Sequence, residues 1–172
     1  MFTEWQIKLL EANSPNIDAQ VDIMAANIVL IKKLEEQIKG LKGENADIAD
    51  LIEPVIREMK DRTIETQKSI LHLEKISTTK VTVSWAKLWK TALTKVNSAT
   101  RKVLEELRRE MENISNVSSS WSAMLKEDIN EGIVDAVKLF FARLKQRISG
   151  YMSAAKDIKK DTDKLAKLIN GL

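Results

Sequence analysis

The sequence predicts an all-α protein: an elongated antiparallel helical bundle, or coiled-coil-like hairpins, built from four or five long amphipathic helices. Three observations support this. The 172 residues include only 5 Gly and 2 Pro, so few positions interrupt a helix. Apolar residues recur at steps of three and four, the spacing of one helix face. Residues that cap helices stand before these stripes. We expect a single domain, residues 1–172.

The first two helix starts are marked by capping residues. Thr3 opens a capping box and predicts a short helix of about ten residues. Ser14 and Pro15 then supply an N-cap and a first helical residue that needs no N–H donor. The stripe that follows ends at Gly40 and Gly43. Its members are Ile17, Val21, Met24, Ile28, Ile31, Leu34, Ile38 and Leu41.

The next helix has two candidate starts. It begins near Asn45, or near Glu53 with Pro54 in its first turn. It ends around Lys75, because the threonine and β-branched residues that follow disfavour a helix. A short strand at 80–83 fits the β-branched residues, but the sequence offers no partner strand. The apolar stripe is Ile48, Ile52, Val55, Ile56, Met59, Ile70, Leu73 and Ile76.

Two further long segments complete the chain. One helix starts near Ser84, and the serines at 118–120 are expected to interrupt it and to cap the next segment. Gly150 either breaks or bends that segment, and Gly171 closes the last helix. The stripes are Trp85, Leu88, Trp89, Ala92, Val96, Ala99, Val103, Leu107, Met111, Ile114; then Trp121, Leu125, Ile129, Ile133, Val137, Phe140, Leu144, Ile148; then Ala155, Ile158, Leu165, Leu168, Ile169.

Charge divides the chain into two halves. Residues 1–80 carry a net charge of −3 and residues 81–172 a net charge of +6, which together give the overall +3. This suggests a sub-division into an acidic helical hairpin and a basic one. The preferred interpretation is solvated helix faces of both signs, and the alternative is attraction between the halves.

The residue inventory argues against enzyme chemistry, so we expect no cofactor, no metal site and no small-molecule substrate. The chain has no Cys, and His72 is its one histidine. Glycine-rich phosphate-binding motifs are missing. We expect His72 on a helix surface. Neighbouring carboxylates sit among lysines on polar faces, where burial cannot shift a pKa for catalysis. They are Glu35 with Glu36, Glu105 with Glu106, and Asp157 with Asp161.

Two segments are apolar nearly all round, 21–31 and 133–144. Both are too short to cross a membrane. The preferred interpretation is a helix buried on several sides, in a bundle or an oligomer interface, and the alternative is apolar surface kept for a partner or a membrane.

Trp85 and Trp89 lie one turn apart among Lys87, Lys90 and Lys95, which suits either core packing, the preferred interpretation, or a membrane interface. The candidate partner or membrane contacts are Trp85, Leu88, Trp89, Ile133, Val137, Phe140 and Phe141.

A basic helix face near the C-terminus raises a third interpretation. Lys156, Lys160, Lys164 and Lys167 share this face and could meet phosphates of a nucleic acid. Aspartates are interspersed with them, so a solvated face is preferred.

We therefore expect a structural or assembly protein that packs its helices against copies of itself or a helical protein partner. A component of a virion, filament or secretion-type scaffold fits this description. The alternative is a membrane-active protein that forms pores or aids translocation, and a nucleic-acid-associated protein ranks behind both. No signal peptide or transmembrane helix is visible, and with no Cys the expected location is the cytoplasm or an assembled particle.

Overall fold

The computed structural model describes residues 17–76, 80–127 and 131–172. It contains the helices α1 (Ile17–Glu44), α2 (Ala46–Glu74), α3 (Val83–Glu127) and α4 (Glu131–Asn170). These three ranges contain no strand, and the predicted all-α fold is confirmed. The predicted helix near Thr3 and the start at Ser14 lie outside the described residues.

Helix α2 takes the earlier of its two candidate starts. The side chain of Asn45 accepts a hydrogen bond from the backbone N–H of Ile48 at 3.3 Å, which satisfies one of the unpaired donors of the first turn. Pro54 consequently lies inside the helix rather than in its first turn. The helix ends at Glu74, next to the predicted end.

Helix α3 begins with a different cap from the one predicted. The hydroxyl of Thr82 accepts a hydrogen bond from the backbone N–H of Trp85 at 3.2 Å, so Thr82 caps the helix instead of Ser84. Val83 is already helical, and the suggested strand at 80–83 is not formed. The β-branched residues there find no partner strand, so a helix start satisfies more backbone groups.

The predicted interruption at the serines is absent, and of the two alternatives for Gly150 the break is excluded. Helix α3 continues through the serines at 118–120 to Glu127, and the predicted start there is wrong. Serine lowers helix stability by only about 0.5 kcal/mol relative to alanine, which a helix of this length tolerates. Helix α4 likewise continues through Gly150.

The four helices pack as two antiparallel hairpins. Helix α1 contacts α2 and α3, and α4 contacts α2 and α3, so α2 and α3 lie on one diagonal of the bundle. The link from Lys75 to Thr82 crosses this diagonal. Eight residues span at most about 28 Å, so α2 must end near the start of α3. Helices α1 and α3 therefore run parallel to each other, as do α2 and α4.

Among the side chains that the structure describes, the predicted stripes form the core with one clear exception; the side chains of Ile17, Trp121, Leu125, Ile129 and Ile133 lie outside them. Leu88 belongs to the α3 stripe but is 56% exposed, while Leu93 and Leu104, which the stripe omitted, are fully buried. The remaining α3 stripe positions are buried or half-buried. The largest fully buried side chains are Trp89, Leu34, Ile52, Met59, Ile70, Leu73, Leu93, Leu104, Leu107 and Ile114.

The helices differ in length, and this leaves part of one hairpin beyond the bundle. Helices α1 and α2 have 28 and 29 residues, whereas α3 and α4 have 45 and 40. Thr162 of α4 contacts Glu65 of the parallel helix α2. Both helices rise equally per residue, so counting back the same number of residues from this contact places Ala46, the first residue of α2, level with Arg143 of α4. Asn97 of α3 contacts Gln20 and Asn27 of the parallel helix α1. Counting forward along both helices from these contacts places Glu44, the last residue of α1, level with about residue 118 of α3. We call 118–127 of α3 and 131–142 of α4 the projecting hairpin.

Candidate interaction surfaces

The two tryptophans of α3 form part of the core. Trp85 and Trp89 are stacked, with ring centres 6.1 Å apart and an angle of 14° between the ring planes. Trp89 is fully buried. The indole Nε1 of Trp85 donates a hydrogen bond to the backbone oxygen of Leu168 at 2.8 Å, which joins the start of α3 to the end of α4. Of the three candidate contacts on this turn, only Leu88 lies fully on the outside.

The projecting hairpin holds the other four candidate contacts. Val137, Phe140 and Phe141 are half-buried, and the side chain of Ile133 lies outside the described residues. Two further apolar side chains are more exposed than the three half-buried ones: Val134 at 40% and Leu139 at 51%. Among the described helices, only α3 lies beside this apolar stretch of α4, since α1 and α2 end level with its base.

Helix α4 presents three faces over this stretch. The inner face holds Val137, Phe140 and Leu144. A second face combines Val134 and Phe141 with lysines, and Nζ of Lys145 lies 5.8 Å from the ring centre of Phe141. A third face, which we call the Leu139 face, points away from the core. Its residues are all exposed: Gly132, Asp135, Ala136, Leu139, Ala142, Arg143 and Gln146.

A polar cluster joins α3 and α4 at the base of the projecting hairpin. The buried carboxylate of Glu110 accepts hydrogen bonds from Nε and Nη2 of Arg147 at 2.6 and 3.1 Å, and from the hydroxyl of Tyr151 at 2.9 Å. A bidentate pair of this kind has a fixed geometry. It therefore sets the register of the two helices just before they leave the bundle.

Burial and pairing change the pKa values of this cluster. Burial, followed by the hydrogen bond to Glu110, raises the pKa of Tyr151 from 10.0 to about 12. The hydrogen bond to Glu110 also raises the pKa of Arg147. A shallow cleft of about 420 Å³ lies against the cluster and is lined also by Glu106, Arg109 and Asn113. Because Glu110 is already paired with Arg147 and Tyr151, we interpret the cluster as structural.

The apolar segment 21–31 belongs to α1 and is partly buried against the neighbouring helices. Met24, Leu30 and Ile31 belong to the core, whereas Val29 is 52% exposed. The segment therefore has one outward apolar side, although burial on several sides was the preferred interpretation.

Buried amides join this part of α1 to α3. The side-chain nitrogen of Asn97 donates to the backbone oxygen of Gln20 at 2.9 Å and to Oε1 of the same residue at 3.2 Å. Asn27 donates to the backbone oxygen of Asn97 at 3.3 Å. These bonds fix α1 against α3 at one register.

Ion pairs hold several of the carboxylates that the sequence singled out. Glu105 pairs with Arg101 at 2.6 Å and with Arg108 at 2.9 Å. The hydrogen bond from Arg108 holds the pKa of Glu105 below its usual value, the opposite of what a general acid needs. Glu35 pairs with Lys60 at 3.1 Å.

His72 lies exposed on α2, where it was expected. In the part of the chain that the structure describes, no group of three or more His, Asp or Glu side chains could hold a metal ion.

The basic face near the C-terminus is exposed and interrupted by acidic residues. Lys156, Lys160, Lys164 and Lys167 all face solvent. Nζ of Lys160 lies 3.8 Å from Asp157, and Asp161 pairs with Lys95 of α3 at 3.3 Å. These carboxylates lower the positive potential that a nucleic acid would meet.

Sequence reasoning missed two groups that matter for packing. Glu110 and Asn97 are polar residues inside helices, and both are almost fully buried. A signal for each was present: they stand beside the apolar stripe, at positions next to Met111 and Val96. The stripe alone does not say whether a polar neighbour faces water or another helix.

Comparisons with known proteins add no functional information. A scan against protein-family models found no match, and searches of curated proteins and of solved structures found no significant match. Among the described residues, no helix is both long enough and apolar enough to span a membrane.

Proposed function

We propose that this protein has a structural or assembly role and acts by packing the projecting hairpin against a protein, either a copy of itself or a helical partner. The observation that supports this most directly is Leu139, which is 51% exposed on a helix that is apolar nearly all round. Val134 adds further exposed apolar surface on a neighbouring face. Exposed apolar surface on an element that projects from the bundle supports a contact site.

The fixed base of the hairpin supports the same role. Glu110, Arg147 and Tyr151 join the two helices immediately before they project, so the hairpin is held by a buried polar cluster. A preorganised element loses less conformational entropy when it binds. The ion-paired carboxylates and the missing catalytic motifs lead us to propose a non-enzymatic protein.

Photo-crosslinking tests this proposal. The variant Leu139→p-benzoyl-phenylalanine is irradiated at high concentration and in native extract. The matched control places the same group at Leu88, which is 56% exposed but lies far from the hairpin. We expect protein adducts from position 139 and few from position 88. Equal yields at the two positions, or none at either, would contradict the proposal.

A membrane-active role is the second candidate, and one observation favours it. Val134 and Phe141 share a face with Lys138 and Lys145, an arrangement that suits an anionic lipid surface. The burial of Trp89 removes part of the surface that first suggested this role. Co-sedimentation with vesicles of phosphatidylglycerol and phosphatidylcholine tests it, with Phe141→Ser as the variant. Binding that this variant does not weaken would exclude the face.

A further inference from the structure

The residues of the Leu139 face are arranged symmetrically about Leu139, so that two copies of the face can complement each other. At 100° per residue its seven residues fall within an arc of about 120° on α4. Ala136 and Ala142 stand three positions before and after Leu139. Asp135 and Arg143 stand four positions before and after it, with opposite charges. All five side chains are exposed.

This symmetry has a consequence for two copies of the helix. When identical helices pack antiparallel about a twofold axis, each position faces the position equally far on the other side of the axis. With the axis at Leu139, Asp135 of each copy faces Arg143 of the other, and Ala136 faces Ala142. The opposite charges meet twice, and the small alanines allow the helices to approach closely. A parallel pair would bring like charges together and is disfavoured.

Within the residues that the structure describes, these two charges have no ion-pair partner. Asp135 and Arg143 lie eight residues apart, about 12 Å along the helix, so they cannot pair with each other. Arg147, which pairs with Glu110 of α3, lies outside the Leu139 face.

We infer that the Leu139 face binds a second copy of this chain, with the two α4 helices antiparallel about a twofold axis at Leu139. The inference rests on the proposed function and names its partner. The contact is small, since each chain contributes the seven residues of this face, and small contacts are typical of reversible association. The dimer is therefore expected at concentrations of about 10–100 µM, at the low-affinity end of specific association.

Disulfide trapping tests the geometry, because the chain has no Cys of its own. Leu139→Cys is expected to form a covalent dimer under mild oxidation, since a residue on the axis meets its own copy. Ala136→Cys alone should not, because its two copies lie about 9 Å apart along the direction of the helices. An equal mixture of Ala136→Cys and Ala142→Cys should cross-link. The control Leu88→Cys reports random collision, and a dimer yield from Leu139→Cys no higher than this control would overturn the inference.

Charge exchange tests the pairing without cross-linking. Arg143→Asp or Asp135→Arg alone brings like charges together at both ends of the contact, and we expect about tenfold weaker dimerisation in light scattering. The double variant D135R/R143D restores opposite charges only when the partner is a second copy. Failure of the double variant to recover dimerisation would overturn the inference. Circular dichroism checks that every variant is folded.

The outcomes separate this inference from the proposed function. A photo-adduct of position 139 with a different protein, and no trapped dimer, would reject the second copy while the proposed function stands. No adduct and no trapped dimer would reject both.

Discussion

Arg147 of α4 donates two hydrogen bonds to the carboxylate of Glu110 on α3, from Nε at 2.6 Å and from Nη2 at 3.1 Å. The pair is 37 residues apart in the chain and lies where the α3–α4 hairpin leaves the bundle. Glu110 is buried, while the side chain of Arg147 remains 38% exposed. Loss of the carboxylate therefore leaves a guanidinium that water can still reach.

Glu110→Gln is expected to lower the free energy of unfolding by about 1–3 kcal/mol, because a neutral amide cannot replace the two charge-assisted bonds. Urea denaturation measures this. The matched control is Glu112→Gln, whose carboxylate is exposed and pairs with Arg108 at 3.1 Å. The control should change stability by less than about 0.5 kcal/mol. Equal losses of stability in the two variants would contradict a role of Glu110 in joining α3 to α4.

Tyr151 makes the free energy of unfolding depend on pH in the alkaline range. Its pKa is about 12 in the fold and 10.0 ordinarily, so the unfolded chain releases this proton first. The contribution is therefore complete below pH 10 and is lost as the pH rises toward 12. Denaturation midpoints between these values should fall less steeply for Tyr151→Phe. The chain has one Tyr, so phenolate absorbance titrates this residue alone, and a native pKa near 10 would contradict the prediction.

Trp89→Ala is expected to lower the free energy of unfolding by about 3–5 kcal/mol, because it removes a fully buried indole and its stacking on Trp85. Leu88→Ala, one residue earlier, is the control and should change it by less than about 0.5 kcal/mol. Thermal and urea denaturation compare the two. A larger effect from Leu88 would mean that the orientation of this turn is different.

Asn97→Ala is expected to lower the free energy of unfolding by about 1–3 kcal/mol, because the backbone and side-chain oxygens of Gln20 lose the buried amide that donates to both. Ser98→Ala, at the neighbouring exposed position, should be neutral or slightly stabilising. Hydrogen exchange should show faster exchange in α1 for the Asn97 variant than for its control. Unchanged protection of α1 would show that these amides do not hold it in place.

Gly150→Ala is expected to raise the free energy of unfolding by about 0.5–1 kcal/mol, because glycine in a helix loses more conformational entropy on folding. A Cβ at this position would meet no atom within 4 Å. Gly171→Ala is the contrast, since a Cβ there would lie 3.3 Å from the backbone oxygen of Lys167. The melting temperature should rise for the first variant and not for the second.

Some of the helix boundaries could be predicted from local chemistry. One of the two candidate starts of α2 was near Asn45, and Asn45 caps this helix. Such a cap can be predicted because it depends on residues only three or four positions away. The serines at 118–120 did not end α3, since a weak preference at three positions is overridden by the helix around them. Leu88 broke the α3 stripe because the angular width of a buried face depends on how many helices surround it.

The candidate contacts were predicted only in part. The apolar segment 133–144 was identified from sequence, but its exposure depends on the different lengths of the two hairpins. Trp85 and Trp89 carried the same amphipathic pattern as a membrane-binding helix, and α4 buried one of them fully. An amphipathic pattern indicates which residues avoid water. It does not indicate whether another helix of the protein, a partner or a membrane covers them.

The sequence by itself determined the helical class, most of the core positions and the two candidate starts of α2, because these follow from spacing and short-range hydrogen bonds. Only the tertiary structure decided that α2 and α3 lie on a diagonal, that Glu110 meets Arg147 and that the Leu139 face is left exposed. Each of these depends on contacts between residues far apart in the chain. Such contacts are set by how whole helices pack, and no local pattern encodes them.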